Sequence, residues 1–288
     1  MNAKRSGVLY VVATPIGNLQ DMTFRAIDTL NSVDVILAED TRVTKELLNY
    51  YNIKKTPEKL DRFSEKSKEN TIVEKLQAGY NIALVSDAGT PCIKDPGARV
   101  LFKCHENNIR VIPIPGPSAI TAALSIAGFS LNAFIFVGYA PKKKSEKVKF
   151  VQGIKQALVP VLFFETSRRL LALMEILDMR VPKRYIFMAR ELTKYFETTY
   201  FGKIDELMGL FKSGEVQLKL KGEWVVIVDG INQNTLFPDI FKPKPGFMAL
   251  DSTPTGAKKT SQVIAQILGI PQKRAYQIVH TALKERDT

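Results

Sequence analysis

Short apolar runs alternate with helix-length stretches through the first 115 residues: VLYVVA (8–13), DVILAED (34–40), NIALVSD (81–87) and RVIPIP (110–115). Apolar runs of this length, parted by helices, mark strands buried on both faces, and therefore a mostly parallel α/β sheet. The intervening pattern predicts helices over 23–32, 41–51, 70–78 and 97–107. GPSAITAALSIAG (116–128) opens a further helix, with Pro117 and Ser118 suited to its first turn and Gly128 to its end.

A second set of strands follows in FIFVGYA (134–140), VPVLFFE (159–165), RYIFMARE (184–191) and EWVVIVDG (223–230). PKKKSEK (141–147) reads as a basic break, and helices are expected over 149–158 and 167–177. Two α/β domains result, 1–116 and 117–241. KPKPG (242–246) is a Pro-rich linker. It opens a tail, 242–288, whose short amphipathic helices over 258–268 and 272–283 have helix-turn-helix-like spacing.

Ligands of open parallel sheets bind beyond the carboxyl ends of the strands. Here the loops on that edge are 14–21, 38–42, 86–91 and 115–119. SDAGTPCIKDPG (86–97) spends about a dozen residues where a turn needs far fewer. Its Pro and Gly leave backbone groups open to a ligand. Neither GxGxxG nor GxxxxGK[ST] occurs, so the dinucleotide and nucleoside-triphosphate readings lack their motifs.

Composition narrows the classes further. The apolar runs fall far short of the ~20 residues of a membrane helix, and VLYVVA lacks a processing site, so neither membrane nor signal peptide is expected. With 2 Cys and 2 His there is no metal-ligand spacing. Metal-free, reduced, cytoplasmic chemistry fits best. The net charge of +12 favours an anionic partner, nucleic acid ahead of acidic metabolites.

TPIGNLQDMTFRA (14–26), AEDTR (38–42), SDAGTPCIKDPG, PGPSA (115–119), ARELTK (189–194) and KGEWV (221–225) stand in an informative order. Together they resemble the ribose 2′-O-methyltransferases of small-subunit ribosomal RNA, within the tetrapyrrole-methylase superfamily. The resemblance spans about residues 7–283. It implies two α/β domains with S-adenosylmethionine in the cleft between them, a cytidine ribose in the decoding region of 16S ribosomal RNA as methyl acceptor, and a homodimer. Pro15 and Asn18 flank Gly17 where tetrapyrrole enzymes show a GxGxGD-like loop, and SDAGTP replaces their GDP-type turn, which favours the RNA branch. A methyltransferase of tetrapyrroles and a non-catalytic RNA-binding assembly protein are the alternatives.

From the resemblance and the strand-end positions, Pro15, Asp87, Ala88, Gly89, Pro117, Ser118 and Ala119 are expected to line the cofactor. Asp87 equally suits capping its own turn. On the second domain the candidates are Phe164, Glu165, Ala189, Glu191, Gly222, Glu223 and Trp224. The Trp either packs on adenine or fills core, the commoner fate of a large aromatic. A neutral ribose hydroxyl is a poor nucleophile and needs a base or a cationic neighbour. Glu39, Asp40, Arg42 and Lys194 are the candidates, although a solvated strand end or an internal ion pair explains AEDTR as well. Residues 141–155 hold six lysines against one glutamate. Lys142, Lys143 and Lys144 there, with Lys258, Lys259, Lys273 and Arg274 in the tail, are the candidate RNA contacts.

Overall fold

The computed structural model describes residues 6–129, 131–215 and 222–231, with residues 261, 265, 271–273 and 275–277 of the tail. The chain divides into two units, Met1–Gln233 and Asn234–Thr288. In the second, the described residues 261, 265, 272–273 and 275–277 are helical. Lys273 is exposed there, while Lys258, Lys259 and Arg274 lie outside the described residues.

The first unit is built on two five-stranded sheets. Strands β1 (Val8–Val12), β2 (Val35–Ala38), β3 (Glu58–Lys59), β4 (Ile82–Val85) and β5 (Arg110–Ile114) form the first, in the order β3-β2-β4-β1-β5. Every pairing in it is parallel. Alternation along β4 shows why this sheet is buried on both sides. Ala83 and Val85 pack with α1 (Phe24–Ser32) and α2 (Thr41–Tyr50), whereas Ile82 and Leu84 pack with α3 (Glu65–Gln77) and α4 (Ala98–Glu106).

The second sheet is mixed. β6 (Ile135–Tyr139) runs parallel to β7 (Val161–Thr166), while β8 (Tyr185–Arg190), β9 (Thr198–Lys203) and β10 (Glu223–Val228) join by antiparallel pairing in the order β6-β7-β10-β8-β9. Phe163, Met188, Trp224 and Val226 face α6 (Lys144–Gln156), α7 (Ser167–Arg180) and α8 (Ile204–Ser213). Leu162, Phe187, Ala189 and Val225 face the other way, onto α5 (Ala119–Ile126). No helix among the described residues is long and apolar enough to cross a membrane.

Several boundaries differ from the sequence expectation. α3 begins at Glu65, five residues before the expected 70, because Glu65 and Glu69 are buried acids with dedicated partners. Glu65 Oε1 accepts the amides of Gly97 (3.0 Å) and Arg99 (2.8 Å), so α3 caps the start of α4, where glycine offers no side chain. The expected basic break at 141–147 is partly helix, since α6 starts at Lys144. β9 and α8 are additional elements. Cys92 and Cys104 are both free, and burial pushes both thiols up to about 11.

Candidate functional site

The loop after β1 and the long loop after β4 are sewn together before either meets the second sheet. Thr14 and Gly89 exchange both backbone hydrogen bonds, N to O at 2.9 and 3.0 Å, and Gly89 adopts φ +83° to do so. Thr14 Oγ1 adds a bond to Ser86 O at 3.1 Å. Thr90 Oγ1 donates to Pro117 O at 3.2 Å, which ties in the loop before α5. The loop after β2 joins through the Asp40 amide, which donates to Asp87 Oδ1 at 2.9 Å. Asp87 thus braces a neighbouring loop rather than its own turn.

These loops and the ends of β6, β7, β8 and β10 enclose a cavity of about 430 Å³. Asp87, Ala88, Gly89, Thr90, Ser118, Ala119 and Ile120 line it from the first sheet's side, and Phe164, Ala189, Leu192 and Val225 from the second. Ser118 caps α5 without a side-chain hydrogen bond, so the first-turn amides beside the cavity lack that partner. Glycines allow the two sides to close in. A Cβ on Gly17 would lie 2.3 Å from Lys194 Cγ, and one on Gly138 would lie 1.7 Å from Lys94 Cε. A first-sheet loop therefore seats a lysine stem from the second side, and strand β6 seats one from the first.

The charge is distributed unevenly. Glu39, Asp87, Asp95, Glu191 and Glu223 border the cavity, against Arg62, Lys94 and Lys194. Burial, then the charges of Asp95 and Asp87, pushes the Glu39 carboxyl up, with Arg62 opposing. Asp95 is raised as well, chiefly by burial, with Asp87 and Glu223 adding to it. Tyr139 is pushed up to about 12 by burial and by Glu223, whose Oε1 accepts its hydroxyl at 3.1 Å. Burial alone would raise Glu191, but the Lys194 ammonium (3.1 Å) and the Glu223 amide (3.2 Å) outweigh it and hold its carboxyl low. Among the described residues no group of three or more His, Cys, Asp or Glu gathers as a metal site.

Several expected site residues sit elsewhere. Pro15 is buried behind the cavity, and its neighbour Ile16 lines it instead. Strand alternation turns Glu165 away from Phe164 and onto α7, where it is fully buried and paired with Arg169 at 2.5 Å. Pro117 and Gly222 act behind the lining: their carbonyls accept Thr90 Oγ1 and Ser167 Oγ (3.0 Å). Trp224 touches the cavity margin, but its indole fills core. It is 1% exposed, donates Nε1 to Ser167 Oγ at 2.8 Å and stacks near Tyr200. Asp40 is the N-cap of α2, accepting the Arg42 amide at 2.9 Å, and forms an ion pair with Arg42. These contacts, the Arg42 side-chain bond first, hold it down to about 2. Lys142, Lys143 and Lys144 are exposed at the start of α6, whereas Lys147 is buried against Arg169 O.

The sequence reading missed Arg62, Lys94, Asp95 and Tyr139. Lys94 and Asp95 lie within SDAGTPCIKDPG and Tyr139 closes a strand, so position alone could have flagged all three. Arg62 follows a two-residue strand with no motif around it.

Glu39 and Asp87 also border a second recess of about 390 Å³, shared with Asp40, Thr41, Arg42, Lys59 and Asp61. Glu39 therefore borders both spaces, and in the recess Arg42 and Lys59 stand among the carboxylates of Glu39, Asp40, Asp61 and Asp87.

Known proteins place this arrangement. A family model described as tetrapyrrole (corrin/porphyrin) methylases matches residues 8–208. Ribosomal RNA small subunit methyltransferase I of Haemophilus influenzae is 38% identical over 275 residues, 94% of this chain and 96% of that protein. The protein of the same name from Bacillus subtilis is 42% identical over 229 residues, 78% of this chain and 76% of its own. Among solved structures, a diphthine synthase aligns with TM-score 0.61 at 13% identity, over 78% of this chain and 90% of its own. The uroporphyrin-III-C-methyltransferase of Thermus thermophilus gives 0.53 at 18%, over 77% and 94%. At such identities these two carry the fold alone.

Proposed function

We infer that this chain, which belongs to the tetrapyrrole (corrin/porphyrin) methylases, is a methyltransferase of small-subunit ribosomal RNA. Its methyl donor is S-adenosylmethionine, and its acceptor is the 2′-hydroxyl of a cytidine ribose in the decoding region of 16S RNA. The protein works as a cytoplasmic homodimer in this reading. The observation that carries it is the place of Glu39, shared by the cavity and the neighbouring recess.

The cavity fits a cationic donor. Five carboxylates against three cations favour a positive ligand. They also disfavour a polycarboxylate tetrapyrrole. S-adenosylmethionine supplies a methyl group activated by its sulfonium. Ala88 and Gly89 offer backbone without bulky side chains, the amides of Ser118–Ile120 offer donors, and Phe164, Leu192 and Val225 offer apolar surface. The enclosing loops exclude water and hold the reactants in line, an effect worth roughly 7–11 kcal/mol of barrier in well-oriented systems.

Glu39 takes the ribose proton as the acceptor oxygen attacks. Its raised pKa makes it a stronger base than an ordinary carboxylate. Asp40, held low and spent on capping, is unsuited to that role. Lys194, fixed by Glu191, steadies charge on the acceptor oxygen. Arg42 and Lys59, paired with Asp40 and Asp61, are the cations of the recess, and their exposed heads are offered to the RNA backbone.

Lys143 and Lys144 crowd the N-terminus of α6, where the helix dipole disfavours cations. Their presence there suits phosphate contact rather than stability. Incubating purified protein and labelled S-adenosylmethionine with small ribosomal subunits, then mapping the product by mass, tests the assignment. Label on a base rather than a ribose, or no label on 16S RNA, overturns it.

The tail provides a separable prediction. Deleting residues 242–288 should weaken RNA binding and flatten its dependence on salt, since each lost phosphate contact lowers the slope by about 0.7–0.9. Affinity for S-adenosylmethionine, read by calorimetry, should stay within about twofold.

A further inference from the structure

Two cations on the cavity border are each followed in the chain by an aromatic ring left almost wholly in water. Arg62 precedes Phe63, which is 95% exposed, and Lys194 precedes Tyr195, which is 94% exposed. One pair comes from the first sheet's side and the other from the second. Rings of this size normally bury most of their surface.

Neither ring sits on a slack loop. Asp61 pins the first turn: its Oδ1 accepts Phe63 N (3.2 Å), Ser64 N (2.8 Å) and Ser64 Oγ (2.7 Å), and its Oδ2 pairs with Lys59 at 2.8 Å. The second turn holds Glu191 and Thr193 at φ +51° and +66°, a conformation costly for residues other than glycine. Thr193 N donates to Glu197 Oε2 at 2.6 Å, and Lys194 N to Glu191 O at 3.0 Å. Tyr195 rests edge-on against Phe196 at 4.9 Å. Both turns are braced by their own hydrogen bonds before any partner arrives, which lowers the ordering cost left for binding.

We propose that Phe63 and Tyr195 are stacking platforms for the RNA bases on either side of the acceptor nucleotide, with Arg62 beside a connecting phosphate and Lys194 kept on the acceptor oxygen. This rests on the RNA methyltransferase reading. A ribose presented to Glu39 within a single-stranded segment leaves its neighbouring bases unstacked, and aromatic side chains are the faces on which such bases rest. Exposed rings each directly preceded by a cation, Phe63 by Arg62 and Tyr195 by Lys194, suit bases and phosphates. A protein partner would be met by a contiguous apolar patch, and the +12 charge of the chain also favours RNA.

The test uses the full-length chain with Phe63→Ala and Tyr195→Ala, small ribosomal subunits as methyl acceptor, and a 2-aminopurine-substituted oligoribonucleotide as binding probe. Each substitution should raise the KM for subunits roughly 5- to 150-fold, the range for one lost base stack. Fluorescence quenching of the probe should weaken in parallel. The salt slope should not change, because a neutral ring neutralises no phosphate. Phe63→Trp and Tyr195→Phe should restore both readouts, and affinity for S-adenosylmethionine should not move. Unchanged KM and quenching overturn the proposal. A changed oligomeric mass by light scattering also overturns it, assigning the rings to a subunit contact. If the unmodified chain does not methylate 16S RNA, the underlying reading fails instead, whatever the variants do.

Discussion

Glu39→Gln lowers single-turnover methylation of pre-bound RNA by roughly 10²–10⁴-fold, the range for a lost general base. Asp40→Asn is expected to leave it within a few-fold, because asparagine is also a good N-cap and Asp40 is already engaged in capping α2 and pairing with Arg42. The contrast is sharp because the two acids are neighbours with opposite environments. One is lifted by burial and by Asp95 and Asp87, and the other is held low by Arg42. The pH profile carries the sign. A base works only when deprotonated, so the wild-type rate climbs as pH rises through a Glu39 pKa lying above the ordinary carboxylate value. The Gln variant loses that limb. If Lys194→Met costs as much and Glu39→Gln little, charge stabilisation replaces base catalysis as the account.

Arg169→Leu is expected to cost the most stability of any single change discussed, about 3 kcal/mol or more. Glu165 is fully buried, and its Oε1 takes Arg169 Nε (2.7 Å), Arg169 Nη2 (2.5 Å) and the Thr166 amide (2.7 Å). Its Oε2 has no hydrogen-bond partner. Removing the guanidinium leaves a carboxylate charge with neither water nor counter-ion. Arg169 retains some solvent contact, which places the cost at the lower end of the buried-pair range. The double replacement Glu165→Leu with Arg169→Leu should recover much of the loss, since breaking a buried pair costs more than deleting it. Urea midpoints at constant slope measure both. A single variant as stable as the parent would mean that water reaches Glu165.

The parallel sheet was legible because strands buried on both faces must be apolar throughout, as Ile82–Val85 are. The Pro- and Gly-rich loops were legible because few other residues build such turns. Partnerships across the fold left no local trace. Glu65 reads as a solvated acid until Gly97 and Arg99 are seen to depend on it. Glu165 and Phe164 look equivalent at a strand end, and only the pleat sends one to α7 and the other to the cavity. β9 lies at the sheet edge, so Thr198–Lys203 never needed the apolar run that betrays a central strand. Arg62 entered the site through a turn set by Asp61, with no motif to announce it.

The place of β10 imposes an order of assembly. β7 and β8 do not touch as strands; β10, the last strand among the described residues, lies between them. The first sheet is complete once Ile114 has emerged, but the second stays open along its middle until Val228 does. At ~5–20 residues per second that interval is on the order of ten seconds. Throughout that interval the nascent chain carries the first sheet's share of the cavity lining, Asp87 to Thr90, without its second wall. Glu223 and Val225 complete its lining last, so a chain that has not yet reached β10 lacks one wall of the cavity.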